Sequence, residues 1–253
     1  MGSDPLARWI VSSLILGLRI APVFALAPPF SLVRVPVLFR ALFGLGLSVC
    51  LVSACPQTAL LASTDLSGIV VSAVRELLLG TMFVLAFQLV FGALYVAGRT
   101  IDIQAGFGLA LLIDPASNAQ TPLVGTLFGY AAGLVFFALQ GHVALLRVLA
   151  ASLDAIPLGS WSMPDSVERV AGFLTMVFLS ALGVAGGSIL VLFLIDMAIA
   201  LASRTIPQMN VLVLGFQVKT IVLFLALPVS FGVGGALLVR MMAMTLQALP
   251  GLL

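Results

Sequence analysis

Five long stretches of this chain carry no charged residue at all: Ala41–Thr64, Leu77–Gly98, Pro115–Gly141, Val170–Ile195 and Thr220–Val239. A helix of about 20 apolar residues spans the hydrocarbon core of a bilayer, so each stretch is long enough to do so. A sixth and weaker run, Trp9–Leu26, holds Arg19. Within lipid every backbone N–H and C=O must be paired internally, which leaves helices and closed barrels. A barrel requires period-two alternation, and these runs are apolar throughout. The sequence therefore predicts an all-α integral membrane-type protein of about six long apolar helices. Composition agrees: hydrophobic residues make up 62% and charged residues 8%, against about 25% charged in ordinary globular domains. A soluble enzyme, a disordered chain and a nucleic-acid binder are excluded, because too little polar surface exists to cover a core.

The runs are separated by prolines and turn formers. Pro28, Pro29 and Pro36 mark the first connection, Pro56 and Asp65 the second, Asp114-Pro115 and Pro122 the third. Pro157, Gly159 and Pro164 mark the fourth, which reads as a solvated linker, and Pro207 marks the fifth. Proline lacks a donor and disfavours helix in the residue before it. Trp9–Leu18 has the look of a signal-peptide core, but Arg19 interrupts it and Pro28-Pro29 follow, so an uncleaved first membrane segment is expected. Arg34, Arg40, Arg99, Arg204 and Lys219 lie in odd connections, and Arg8, Arg75, Arg147, Arg169 and Arg240 at the ends and in even ones. That tie gives no orientation by the positive-inside rule. It points to segments that are not all ordinary spans. Isolated arginines make no polyphosphate-binding stripe, so no nucleic-acid partner is expected. Cys50 and Cys55 read as small buried hydrophobes rather than a disulfide or metal pair.

Gly125, Gly129 and Gly133 recur every four residues, as do Gly183 and Gly187, a spacing that lets helix backbones approach. Gly129→Leu should accordingly weaken assembly. Ionisable groups in apolar context are functional candidates. Asp196 closes an apolar run, and Arg204 or another chain is its expected partner. Glu76 adjoins Arg75, which suggests a local ion pair. Asp102 and Gln104 open an unusual segment in which Gly106 and Gly108 flank Phe107, followed by Asp114-Pro115 and Ser117-Asn118. Permissive glycines and turn formers fit either a mobile gate loop or a plain connector. The single histidine, His142, reads as a satisfied structural residue. No nucleotide-binding or metalloprotease motif is present, and no cofactor is expected. A carboxylate relay through Glu76, Asp102 and Asp196 would suit an ion-coupled transporter, yet no inverted repeat accompanies it. An intramembrane hydrolase would need Asp102 and Asp196 as a dyad, or His142 as a base.

The same segments resemble one family. Ile101-Asp102-Ile103-Gln104-Ala105-Gly106 with Asp114-Pro115-Ala116-Ser117 is similar to the FliR/SctT family of type III protein export. So are Gly141-His142 through Pro157-Leu158-Gly159, and Ser203-Arg204-Thr205-Ile206-Pro207-Gln208-Met209-Asn210-Val211 with Gly215-Phe216 and Lys219. Arg19-Ile20-Ala21-Pro22 and Pro36 to Arg40 fit as well, so the resemblance runs from about residue 8 to residue 249. Asp-Pro-Ala-Ser and Pro-Gln-Met-Asn favour the flagellar branch over the virulence injectisome branch.

The resemblance implies a core export-gate subunit that joins FliP and FliQ around a narrow pore, with FlhB and FlhA among its neighbours. Unfolded proteins pass through that pore, and no catalysis takes place. It implies a bacterial inner-membrane location within the flagellar basal body. It divides the chain into a FliP-like part, 1–165, and a FliQ-like helical hairpin, 166–253, with a turn around 204–219. It makes the loop around 104–120 a pore plug, with Phe107, Leu109, Leu111, Leu112 and Ile113 as the occluding surface. Gly106 and Gly108 would supply its freedom, and Asp114 and Pro115 its far end. Arg204, Pro207, Gln208, Met209, Asn210, Phe216 and Lys219 would form the FliQ-like turn and meet FlhB.

Overall fold

The computed structural model of the chain describes residues 5–60, 65–107, 122–162, 167–205 and 211–252. Among these residues there is no strand. The helices are α1 (Pro5–Leu26), α2 (Pro28–Ser31), α3 (Val37–Ala54), α4 (Pro56–Ala59) and α5 (Leu66–Ala105). They continue with α6 (Leu123–Ala138), α7 (Gly141–Ala155), α8 (Val167–Thr205) and α9 (Val211–Leu252). Helices α1, α3, α5, α8 and the Val213–Gly232 stretch of α9 are long and apolar enough to cross a membrane; α6 with α7 adds a sixth if that broken pair is one span. The protein is thus all-α and of membrane type, with apolar runs shaped into helices as their length demands.

Proline sets the helix starts more than the stops. Pro28 and Pro56 each open a helix, where the missing N–H costs nothing. The run Ala41–Thr64 is cut at Cys55, so α3 ends at Ala54. The run Leu77–Gly98 is the middle of the 40-residue α5, which also takes in Arg75, Glu76, Arg99 and Asp102. Within the run from Pro115, α6 covers Leu123–Ala138 and breaks after Ala138. There Gln140 adopts φ 54°. A Cβ on the next residue, Gly141, would fall 2.5 Å from the Phe136 ring and 2.8 Å from its carbonyl, so only glycine fits this turn. Beyond it α7 occupies much of the fourth connection, which apolar counting had assigned to linker. Both cysteines are free and exposed rather than buried. They lie on the outer side of α3 and just past its end, where the surface is apolar in any case.

The helices fall into two compact units, each discontinuous in sequence. One holds residues 1–89, 136–173 and 243–253; the other holds 90–135 and 174–242. In the first, α1 and α3 form a hairpin closed by small residues. A Cβ on Gly44 would fall 2.6 Å from Ala21 Cα, and Ser48 Oγ donates to the Ser13 carbonyl at 2.8 Å. Pro22, inside α1, cannot donate to the Leu18 carbonyl four residues back. Gly80 of α5 approaches that carbonyl so closely that a Cβ would lie 2.7 Å from it. In the second unit α8 and α9 pack through Gly187, Gly234 and the Ser188–Ser230 hydroxyl pair at 2.7 Å. Large apolar side chains remain on the outside of both units, among them Leu38, Phe39, Leu179, Leu194, Phe224 and Leu225. A surface of this kind requires lipid or neighbouring subunits.

Candidate functional site

In the second unit α5 ends in a way that controls the chain beyond it. Gly106 lies at φ 91°, its N–H donates to the Ile103 carbonyl, and the Phe107 N–H donates to the Asp102 carbonyl. These two bonds are the Schellman stop of a helix, and the left-handed glycine makes it possible. The Asp102 side chain then reaches the start of α6. Its carboxylate accepts the backbone N–H of Val124 at 3.1 Å by both oxygens and that of Gly125 at 3.5 Å. The first N–H groups of a helix have no partner within it, and a carboxylate there satisfies both the donors and the helix dipole. Asp102 therefore ends one helix with its main chain and caps the next with its side chain. The end of α5 and the start of α6, which flank residues 108–121, are held together by this one side chain.

Four further contacts brace this point. A Cβ on Gly98 would fall 2.4 Å from Gly125 Cα, so α5 and α6 meet backbone to backbone. Lys219 of α9 donates to the Gln104 carbonyl at 3.2 Å and pairs with Asp196 of α8. Gln104 Nε2 donates to the Ile189 carbonyl at 3.2 Å, and the rings of Phe107 and Phe216 meet edge to face at 6.3 Å. The last turn of α5 is thus tied to both long helices of the unit.

The first unit holds a fully buried charge cluster. Arg19 and Glu76 have no solvent exposure. Arg19 Nε donates to Glu76 Oε2 and Nη2 to Oε1, the latter at 2.8 Å. Nη1 donates to the Ser152 carbonyl and hydroxyl, and Nη2 also to the Ile156 carbonyl. All five guanidinium N–H donors are used. Glu76 Oε1 also accepts the Gly159 N–H at 2.8 Å. One ion pair thereby fixes α1, α5, the end of α7 and the turn after it.

Several sequence expectations change here. Glu76 pairs with Arg19 rather than Arg75, which instead donates to the Gly159 carbonyl; adjacent helix residues face different ways. Asp196 pairs with Lys219, not Arg204. Arg204 is eight residues along the same helix, about 12 Å away at 1.5 Å per residue. Asp102 and Asp196 are engaged by different groups rather than by each other. His142 is not satisfied: its Nδ1 is buried without a hydrogen-bond partner, and the ring lies 5.8 Å from that of Phe137. Of the glycine stripe, Gly125 meets backbone, Gly133 is buried, and Gly129 faces open space within the chain. Gly183 and Gly187 would bring a Cβ to 3.0 Å from Leu237 and 3.3 Å from Ser230. Arg204 lies in the last turn of α8, and Phe216 and Lys219 lie within α9. Gly108, Leu109, Leu111, Leu112, Ile113, Asp114 and Pro115, and Pro207, Gln208, Met209 and Asn210, lie outside the described residues. The role of Asp102 as a cap was missed; Pro122 with Thr126, an Oγ1 donor to the Pro122 carbonyl, marks the helix start that it serves.

Membrane-length apolar helices and interior charges held by specific partners define an all-α integral membrane protein. No group of three or more metal-ligating side chains occurs among the described residues. Residues 10–245 match the family model described as "Bacterial export proteins, family 1", and the chain belongs to that family. It is 29% identical over 244 residues to the flagellar biosynthetic protein FliR of Bacillus subtilis (strain 168), covering 95% of this chain and 93% of that one. It is 29% identical over 147 residues to FliR of Escherichia coli (strain K12), covering 57% and 56%. To the Yop proteins translocation protein T of Yersinia pestis it is 30% identical over 156 residues, 60% of each chain.

Proposed function

We propose that this chain is a core export-gate subunit of the flagellar type III secretion system. With FliP- and FliQ-like subunits it would form the pore through which unfolded flagellar proteins leave the cell. FlhB- and FlhA-type proteins are its further neighbours, and the gate lies in the bacterial inner membrane within the basal body. The flagellar assignment follows the relative that matches almost the whole chain. The observation that carries the gate reading is the Asp102 cap, which holds together the end of α5 and the start of α6 that flank residues 108–121. A connection closed at its base can project as one body, and Phe107, Leu109, Leu111, Leu112 and Ile113 give it an apolar surface able to close a pore by close packing and dewetting. Its work is passage rather than catalysis. Residues 1–165 form the FliP-like part of this reading and 166–253 the FliQ-like hairpin, whose turn, from Arg204 through Pro207 to Asn210, meets FlhB. The exposed apolar faces are covered by the other subunits as well as by lipid.

Co-expression with the neighbouring export genes and native mass spectrometry of the tagged chain test this. The expected particle holds one copy of this chain and several copies of two small membrane proteins. A stable monomer or homodimer with substrate-dependent ion flux would replace the gate by a transporter.

A further inference from the structure

The first unit contains a cavity that the export reading does not use. It measures about 390 Å³ and is lined by Arg40 and the rings of Phe24, Phe30, Phe39, Phe43 and Phe137. A volume of this size is ordinary for a small-molecule or lipid site. Val33 and Val35 complete the wall, and Arg34 stands exposed between them. Nε and Nη1 of Arg40 are shielded from solvent and have no hydrogen-bond partner. Two guanidinium donors shielded from water and left idle are costly, since polar groups away from water need a partner. No carboxylate lines the cavity among the described residues. From its rim the exposed Val37, Leu38 and Leu42 of α3 continue outward as an apolar face.

We propose that this cavity binds one anionic phospholipid, with the phosphate on Arg40 and Arg34 and an acyl chain among the phenylalanine rings. The guanidinium fork matches two phosphate oxygens, and basic pockets beside membrane helices hold anionic headgroups. A carboxylate from a partner protein would satisfy Arg40 alone and leave the apolar volume unfilled. A phospholipid fills both, and its second chain lies along the exposed face of α3. The proposal rests on the membrane character of the chain and is independent of the export reading.

The test uses the full chain, purified in nonionic detergent and titrated with phosphatidylglycerol or phosphatidylcholine under native mass spectrometry. The wild type retains phosphatidylglycerol in preference to phosphatidylcholine. Arg40→Gln lowers its retention about ten-fold or more, the loss of charge-assisted bonds, and Arg40→Lys loses less. Phe43→Trp, which fills the cavity and keeps the charge, also lowers retention, so the proposal survives a misfolded Arg40 variant. Equal retention by the wild type, Arg40→Gln and Phe43→Trp overturns it. So does full displacement of the lipid by millimolar inorganic phosphate, which would mark a simple anion site. Unchanged lipid retention in Arg40→Gln with loss of co-purifying subunits would assign the guanidinium to a partner's carboxylate instead.

Discussion

Removing Arg19 should be among the most damaging single changes in this protein. Its five donors serve Glu76, Ser152 and Ile156, and neither charge has any solvent exposure. Arg19→Met leaves the Glu76 carboxylate buried, with only the Gly159 N–H still donating to it. Stranding one member of a buried pair costs about 3–5 kcal/mol. Glu76→Leu strands the guanidinium and should cost about as much. If the loss in each variant comes from the charge left behind, the double variant lacks that penalty. Its cost should then fall below that of either single change, far short of the sum of about 6–10 kcal/mol. Arg19→Lys keeps the charge but supplies three donors where five are used, and should cost about 2 kcal/mol. The assay is unfolding of the purified chain in mixed detergent by increasing dodecyl sulfate, followed by far-ultraviolet circular dichroism. Additive single effects in the double variant would show that the two residues act independently, and would refute the account of the cluster as one unit.

Other positions give sharper local tests. Gly98→Val places a branched side chain where Gly125 Cα would lie 2.4 Å from its Cβ; unfolding titrations should register a loss of about 1–3 kcal/mol. A Cβ at Gly129 meets nothing within 4 Å inside the chain, so with Gly129→Leu the isolated chain should keep its stability within about 0.5 kcal/mol while the yield of assembled complex falls. Unchanged yield would remove Gly129 from any interface. Gln140→Gly relieves a left-handed residue and should be stabilising by about 1 kcal/mol by thermal unfolding, whereas Gly141→Ala should be destabilising against Phe136. Asp102→Asn keeps the shape but gives up the charge and one acceptor toward α6, a loss of about 1–3 kcal/mol. Faster backbone hydrogen exchange at Val124 and Gly125 should report it, and unchanged exchange would remove the cap from the account.

The membrane helices could be read from sequence because run length alone decides them. Their partners could not. Arg19 and Glu76 are separated by 57 residues, and Asp102 and Val124 by 22. Nothing in local spacing connects such pairs, so Glu76 was matched to its neighbour Arg75 and Asp196 to Arg204. Helix ends were misjudged for a related reason. An apolar count alone runs from Ala41 to Thr64, although α3 ends at Ala54; Pro56, read as marking the second connection, was the signal for that stop. The α7 helix was hidden because His142, Arg147 and Asp154 break the apolar signal without breaking the helix. The permissive backbone around Gly106 was legible, but not that Gly106 would end α5 in a left-handed stop. That Asp102 would also cap α6 depends on the fold that brings α6 back, and local pattern does not contain it. The small-residue faces of α1 and α3, Ser13, Gly17 and Ala21 against Gly44 and Ser48, were visible in the spacing but passed over in favour of longer glycine stripes.

The central claim is that the segment between Asp102 and Val124 closes a pore. The most direct measurement is ion leak in cells or vesicles carrying the assembled complex, comparing the intact chain with a variant lacking residues 108–113. That deletion leaves Asp102, Phe107, Val124 and Gly125 in place. The account predicts a complex of unchanged size recovered in normal yield, with a potassium and proton leak well above that of the intact chain. A correctly assembled complex that stays as tight to ions as the intact one would contradict it.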